Sequence, residues 1–287
     1  MTSAIPLKNP SWDLNKDLYA EIDELPMMSN PSALFVVLAT YLVFILKIGP
    51  DLMRKREAFK LTKTLLFYNA FQVILSAYLV LSISKTLLLT GLVPKKCYMN
   101  DNNFRNEIVF NTWLYFVAKV TELVDTVMFV LRKKDNQVTF LHVYHHSIMM
   151  TGTWFTVKYW PSETLLYVGF INSLVHVFMY TYYGLAALGP QMSKYLTWKK
   201  YMTKFQLIQF VSILVQYFAS LYVSECPPSG GVAVFILANV VVFLFLFANF
   251  YRKNYTKKSE NKSPIANGTS SNGIAKTNGI TSEDKVK

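Results

Sequence analysis

Long apolar runs alternate along the chain with short polar, mostly basic turns. The apolar stretches fall near 32–49, 64–90, 110–131, 138–157, 164–188, 203–223 and 232–251. Crossing a bilayer core as a helix takes roughly 20 mostly apolar residues. Only helices and closed barrels satisfy their backbone groups in lipid. Barrel strands would be about ten residues long with strict alternation, and the sequence has no such repeat. The pattern predicts an all-α, polytopic membrane protein with seven transmembrane helices. It also predicts three zones: an amino-terminal segment at 1–31, a seven-span membrane domain at 32–251 and a tail at 252–287.

Composition agrees with that reading. Of 287 residues, 52% are hydrophobic and only 16% charged, against about 25% charged in a soluble domain. Residues 1–30 are polar, with Asp13, Asp17, Glu21, Asp23 and Glu24. They hold no apolar core of a cleavable signal, so the first span is expected to stay in the mature protein. The last 36 residues are poor in apolar side chains and repeat Asn-Gly at 267–268, 272–273 and 278–279, the composition of a disordered tail.

The net charge of +12 could suggest nucleic acid, but its distribution points elsewhere. Arg54, Lys55, Arg56, Lys60 and Lys63 fill the first loop. Arg132, Lys133 and Lys134 fill the third, Lys194, Lys199 and Lys200 the fifth, and Arg252, Lys253, Lys257 and Lys258 begin the tail. With seven spans these lie on one side, which the positive-inside rule makes cytoplasmic. The amino terminus is then lumenal or extracellular and the carboxyl terminus cytoplasmic. Cys97 and Cys226, the two cysteines, fall in opposite, oxidising-side loops, and a disulfide between them is expected. The sequons at Asn254, Asn261 and Asn267 fall in the cytoplasmic tail and are expected to stay unglycosylated.

All four histidines lie inside expected spans. Ionisable groups there are costly and face a protein interior or a water cavity. In His142-Val-Tyr-His145-His146 the imidazoles fall at i, i+3 and i+4, one helix face. The third span adds Lys119, Glu122 and Asp125 on one face. The fifth carries Asn172, His176, Tyr180 and Tyr183, and the sixth Thr203, Gln206, Gln209 and Gln216. Four polar stripes imply a polar chamber between helices, open toward the cytoplasm.

Imidazole can act as general base, nucleophile or metal ligand. Membrane di-iron sites use about eight histidines, twice what this chain has. One zinc held by three histidines and a carboxylate such as Asp125 remains an option. No phosphate-cradling glycine loop and no serine nucleophile elbow occurs, and both cysteines lie on the wrong side. Basic residues at the mouth (Arg132, Lys133, Lys134, Lys199 and Lys200) suit a polyanionic head group. They also fit plain positive-inside topology. Glu122 can pair with Lys119, leaving Asp125 to orient another group. Two rival classes are a seven-span transporter or receptor and a zinc-dependent membrane hydrolase.

These motifs carry a resemblance. The chain is similar over about residues 25–255 to the very-long-chain fatty acid elongases, condensing enzymes of the endoplasmic reticulum. The family's histidine box is matched at His142–His146 and its lysine–glutamate–aspartate motif at Lys119-Val-Thr-Glu122-Leu-Val-Asp125-Thr126. A downstream motif runs His176-Val-Phe-Met179-Tyr180-Thr-Tyr182-Tyr183, and a glutamine motif Thr203-Lys-Phe-Gln206-Leu-Ile-Gln209. Gln137-Val-Thr-Phe-Leu resembles the animal branch, which takes long saturated, monounsaturated or polyunsaturated chains. The tail departs from the family's dilysine signal: Lys285 is third from the end, with no lysine at the fourth or fifth position.

The resemblance implies six of seven helices closing a barrel around an acyl tunnel. It implies condensation of long-chain acyl-CoA with malonyl-CoA to 3-ketoacyl-CoA, CO2 and CoA, with no bound cofactor and no metal. It assigns His145 as the nucleophile forming an acyl-imidazole. His146, Asn172 and His176 are expected as donors to an enolate, Asp125 as a tautomer-fixing carboxylate and His142 as an orienting group. Lys119, Glu122, Tyr180, Tyr183, Gln206, Gln209 and the five basic residues of the mouth are expected to bind substrate. Reductase and dehydratase partners of the elongation cycle are implied, and a homo-oligomer is left open.

Overall fold

The computed structural model describes residues 19–226 and 230–256. The expectations that fall on 1–18 and 257–287, among them Asn261, Asn267 and Lys285, lie outside the described residues. Among those described there is no strand.

Seven long helical segments follow one another: α1 Ser32–Arg54, α2 Thr62–Thr90, α3 Asn102–Leu131, α4 Phe140–Tyr159, α5 Thr164–Ala187, α6 Lys199–Val223 and α7 Gly230–Tyr251. All but α1, α2, α5, α6 and α7 fall short of being long and apolar enough to cross a membrane. The two that fall short, α3 and α4, carry Lys119, Glu122, Asp125 and three histidines. The chain is a polytopic helical membrane protein in which two helices carry ionisable residues in place of apolar ones.

Helix ends depart from the apolar runs for local reasons. Helix α3 begins eight residues before its apolar run because the Asp101 side chain caps it, accepting from the Asn103 N–H at 2.9 Å. The Thr139 hydroxyl caps α4 and accepts from the His142 N–H at 3.3 Å, placing the histidine box one turn inside the helix. Helix α1 passes through a π-helical turn at Phe44–Ile48 and continues beyond its expected end at 49 to Arg54. A corresponding turn at Arg252–Thr256 prolongs α7. The first five residues of the expected tail are therefore helical, with the Asn254 amide donating to the Phe250 carbonyl at 2.9 Å.

Six helices close a ring. Helix α2 packs most extensively along α5, and α2–α3, α3–α4, α5–α6 and α6–α7 are neighbours. Side chains close the last gap between α4 and α7. The Tyr144 hydroxyl donates to Asn239 Oδ1 at 3.0 Å, and a Cβ on Gly152 would meet Phe235 Cζ at 2.6 Å, so the ring in its present place needs glycine opposite it. Helix α1 sits outside the ring against α3 and α4. On the opposite side α2 exposes Phe67, Ile74, Leu81 and Leu88, one stripe at heptad spacing that suits lipid.

One end of the bundle is tied by the Cys97–Cys226 disulfide, with Cα atoms 5.3 Å apart. There residues 19–31 pack down instead of trailing away: Ile22 and Met28 are fully buried. Asp23 pairs with the buried Lys158, Glu21 with Arg105 at 3.1 Å, and Trp154 Nε1 donates to the Met27 carbonyl at 2.7 Å. The basic turns gather at the other end.

Candidate active site

A cavity of about 100 Å³ runs inside the ring. All six ring helices line it and α1 contributes nothing. Its lining on α4 runs from His145 to Val157, about 18 Å at 1.5 Å per residue. That is close to one leaflet of a bilayer whose hydrocarbon is about 30 Å thick. The far end is mostly apolar, with Val157, Leu165, Leu166 and Ile83 beside Asn111, Thr112 and Thr156; the near end carries His145, Asn172 and Gln209.

The histidine box is a ring cluster. His142 and His146 have centroids 4.3 Å apart, and His145 and His146 5.2 Å. Of the four histidines only His145 lines the cavity, its ring 5.2 Å from that of Phe243 on α7. His146 is buried behind it. His142 lies toward the basic end, with Nε2 2.9 Å from Thr126 Oγ1.

Helices α3 and α5 supply a buried charge network. Lys119 and Glu122, each 2% exposed, meet at 2.7 Å. Glu122 Oε1 also faces His176 Nδ1 at 3.0 Å. Lys119 Nζ donates to Asn172 Oδ1 at 2.7 Å, and the Tyr115 hydroxyl donates to the same oxygen at 2.9 Å. With both donors on Oδ1, the Asn172 amide nitrogen keeps its two protons for other partners.

The structure corrects one role. Asp125 was expected to hold an imidazole; instead its Oδ2 accepts from the Tyr180 hydroxyl at 2.7 Å. Glu122, expected to pair with Lys119 and to bind substrate, is the carboxylate that meets a histidine. The reason is helical phase: Glu122 shares the inner face with Lys119, while Asp125, three residues on, turns toward Tyr180 and α2.

The remaining expected residues divide. Gln209 lines the cavity, and its Oε1 has no partner among the described residues. Gln206 reaches Met179 Sδ at 3.8 Å. Tyr180 is fully buried, and Tyr183 is 38% exposed. None of Arg132, Lys133, Lys134, Lys199 and Lys200 lines the cavity. Lys133, at φ 51°, borders a separate depression with Arg54 and Asp135, between α1 and the α3–α4 turn. Lys200 lies 5.8 Å from the Tyr251 ring.

Tyr115 and Tyr41 were missed. Tyr115 stands four residues before Lys119, on the same helix face, a signal that could have found it. Tyr41 is a lone tyrosine in an apolar run, and nothing in the sequence marks it. Among the described residues, no group of three or more His, Cys, Asp or Glu side chains could hold a metal ion.

Comparison with known proteins decides the family. The family model described as ELO: GNS1/SUR4 family matches residues 26–263. The chain belongs to the GNS1/SUR4 family. This ELO chain is 40% identical over 250 residues to the very long chain fatty acid elongase 7 of Drosophila melanogaster, covering 85% of this chain and 76% of that protein. It is 39% identical to the elongase 1 of Mus musculus, covering 85% of this chain and 89% of that one. To the elongase 7 of Rattus norvegicus it is 37% identical, covering 88% and 91%. In the ELO chain, His145 of the histidine box lines one end of a mostly apolar cavity inside the helix ring.

Proposed function

We propose that this chain is a condensing enzyme of fatty acid elongation, a 3-oxoacyl-CoA synthase that joins long-chain acyl-CoA and malonyl-CoA. The observation that carries the reading is His145: the one histidine on the wall of a cavity whose length and lining suit an acyl chain. The names of the relatives support the same substrate class.

The His145 imidazole attacks the thioester carbonyl. The carbon–sulfur bond breaks, coenzyme A leaves with the proton released by the ring, and an acyl-imidazole remains. Malonyl-CoA then loses CO2, and the electron pair of the broken bond becomes the enolate of acetyl-CoA. That carbon attacks the acyl carbon, the carbon–nitrogen bond breaks and the imidazole leaves, regaining from water the proton it gave to coenzyme A; the product is 3-ketoacyl-CoA. The developing oxyanions need donors. The Asn172 amide nitrogen, freed by its two-donor carbonyl, supplies one. Glu122 holds Nδ1 of His176, which leaves Nε2 as that ring's second polar atom. Arg132, Lys133, Lys134, Lys199 and Lys200 act outside the cavity, on the coenzyme A phosphates. The reading places the chain in the endoplasmic reticulum membrane with a cytoplasmic carboxyl terminus. It also makes a reductase and a dehydratase the next enzymes in the cycle.

The test is intact-mass analysis of purified protein given acyl-CoA alone. One added acyl group, absent in His145→Ala, is expected, followed by malonyl-dependent product. A mass that rises only when malonyl-CoA is also present would remove the two-step scheme. His145→Ala protein that still condenses would remove His145 as nucleophile.

A further inference from the structure

Helix α1 lines no part of the cavity, yet it reaches the histidine box. Tyr41, near the middle of α1, is 5% exposed, and its hydroxyl lies 2.8 Å from Thr126 Oγ1. Thr126, fully buried on α3, lies 2.9 Å from His142 Nε2 on α4. Three helices are thus joined by one chain of hydrogen bonds that ends on an imidazole. Neither hydroxyl has a further hydrogen-bond partner among the described residues.

Counting protons gives the chain a direction. Each hydroxyl carries one proton. Tyr41 is the terminus, so its proton is satisfied only by donation to Thr126. The Thr126 proton then goes to His142 Nε2. Reversing the chain would leave the Tyr41 proton buried without an acceptor, the costlier arrangement. An Nε2 that accepts leaves the neutral ring with its proton on Nδ1. The titratable groups facing this chain are Glu122 and Asp125 on α3 and His145 and His146 on α4.

We propose that Tyr41 is a positioning residue: acting through Thr126, it holds His142 as a neutral imidazole with its proton on Nδ1. The consequence is geometric. His142 packs 4.3 Å from His146, and His146 packs against His145. A His142 ring pinned in one tautomer and one orientation therefore sets the pose of the ring that attacks. The catalytic consequence rests on the condensation reading above; the tautomer does not.

Two measurements test it on the full chain in lipid nanodiscs. The first is a histidine ¹⁵N spectrum, tractable because the sequence has four histidines; His142→Gln identifies the His142 signal. Wild type should show His142 protonated at Nδ1 with a bare, hydrogen-bonded Nε2, and Tyr41→Phe should lose that single tautomer. The second is steady-state kinetics. Tyr41→Phe should lower kcat about tenfold, the loss of one buried hydrogen bond, with KM for both substrates unchanged. Thr126→Val should do the same, the double variant should lose no more than either, and Thr126→Ser should restore most of what Thr126→Val loses.

A wild-type His142 protonated at Nε2, a tautomer unchanged in Tyr41→Phe, or full kcat in that variant overturns the proposal. Should Tyr41→Phe fail to fold, the Thr126→Val and Thr126→Ser pair makes the same comparison. A wild-type protein that makes no malonyl-dependent product sinks the condensation reading instead, and the spectrum still decides the tautomer.

Discussion

Replacing Lys119 by methionine tests whether the buried network is a paired charge system. Lys119 Nζ lies 2.7 Å from Glu122 Oε1 and 2.7 Å from Asn172 Oδ1, and both ionic side chains are almost fully buried. At an effective dielectric of about 20 the pair attracts by about 6 kcal/mol. Desolvating two ions costs several kcal/mol each, so the intact pair contributes little over an apolar replacement. Removing one partner is different, because Glu122 stays buried without its cation; such losses run about 3–5 kcal/mol. His176 still faces Glu122 at 3.0 Å, which puts the expectation near the lower end, about 3 kcal/mol. Adding Glu122→Gln removes the stranded charge, so the double variant should recover much of the loss. Unfolding in mixed micelles, followed by tryptophan fluorescence, measures all four corners of the cycle. A Lys119→Met loss under about 1 kcal/mol, or a double variant as poor as the sum of the singles, would refute the reasoning.

Three further outcomes follow from the geometry. Cys97→Ser opens a loop of 129 residues and should cost about 2–5 kcal/mol; the same unfolding assay checks it, and reductant should lower wild type to the level of the variant. Gly152→Ala puts a Cβ 2.6 Å from Phe235 Cζ. The ring can swing into the cavity that both residues line, so stability should fall by only about 1 kcal/mol while an acyl-CoA panel shifts toward shorter chains; an unchanged panel would deny that Phe235 borders the acyl path. Glu163, before α5, has its carboxyl pushed above the usual range by burial. The folded protein thus favours its protonated form, a contribution present at low pH and lost as pH rises through the raised value. Glu163→Gln should therefore be more stable than wild type at neutral pH, with the advantage shrinking on acidification and the Tyr98 N–H bond kept by the amide oxygen.

The apolar runs alone named all seven long helices, because twenty apolar residues leave little choice but to bury themselves as helix. His142, His145, His146 and His176 stood out for the same reason: an ionisable group in an apolar run is costly and needs a purpose. Helical spacing also predicted that Lys119 and Glu122 share a face, since i and i+3 positions meet within one turn. What spacing could not supply was the partner across the bundle. That Glu122 and not Asp125 meets a histidine depends on how α3 is rotated against α5. That His145 alone reaches the cavity depends on how α4 faces α7 across Gly152 and Phe235. Tyr41 carries the clearest lesson, since its place beside Thr126 exists only because α1, excluded from the ring, leans on α3. Local sequence determines which groups lie on which face of a helix; the rotation and contact of whole helices, set by packing between residues far apart in the chain, decide which of those faces meet.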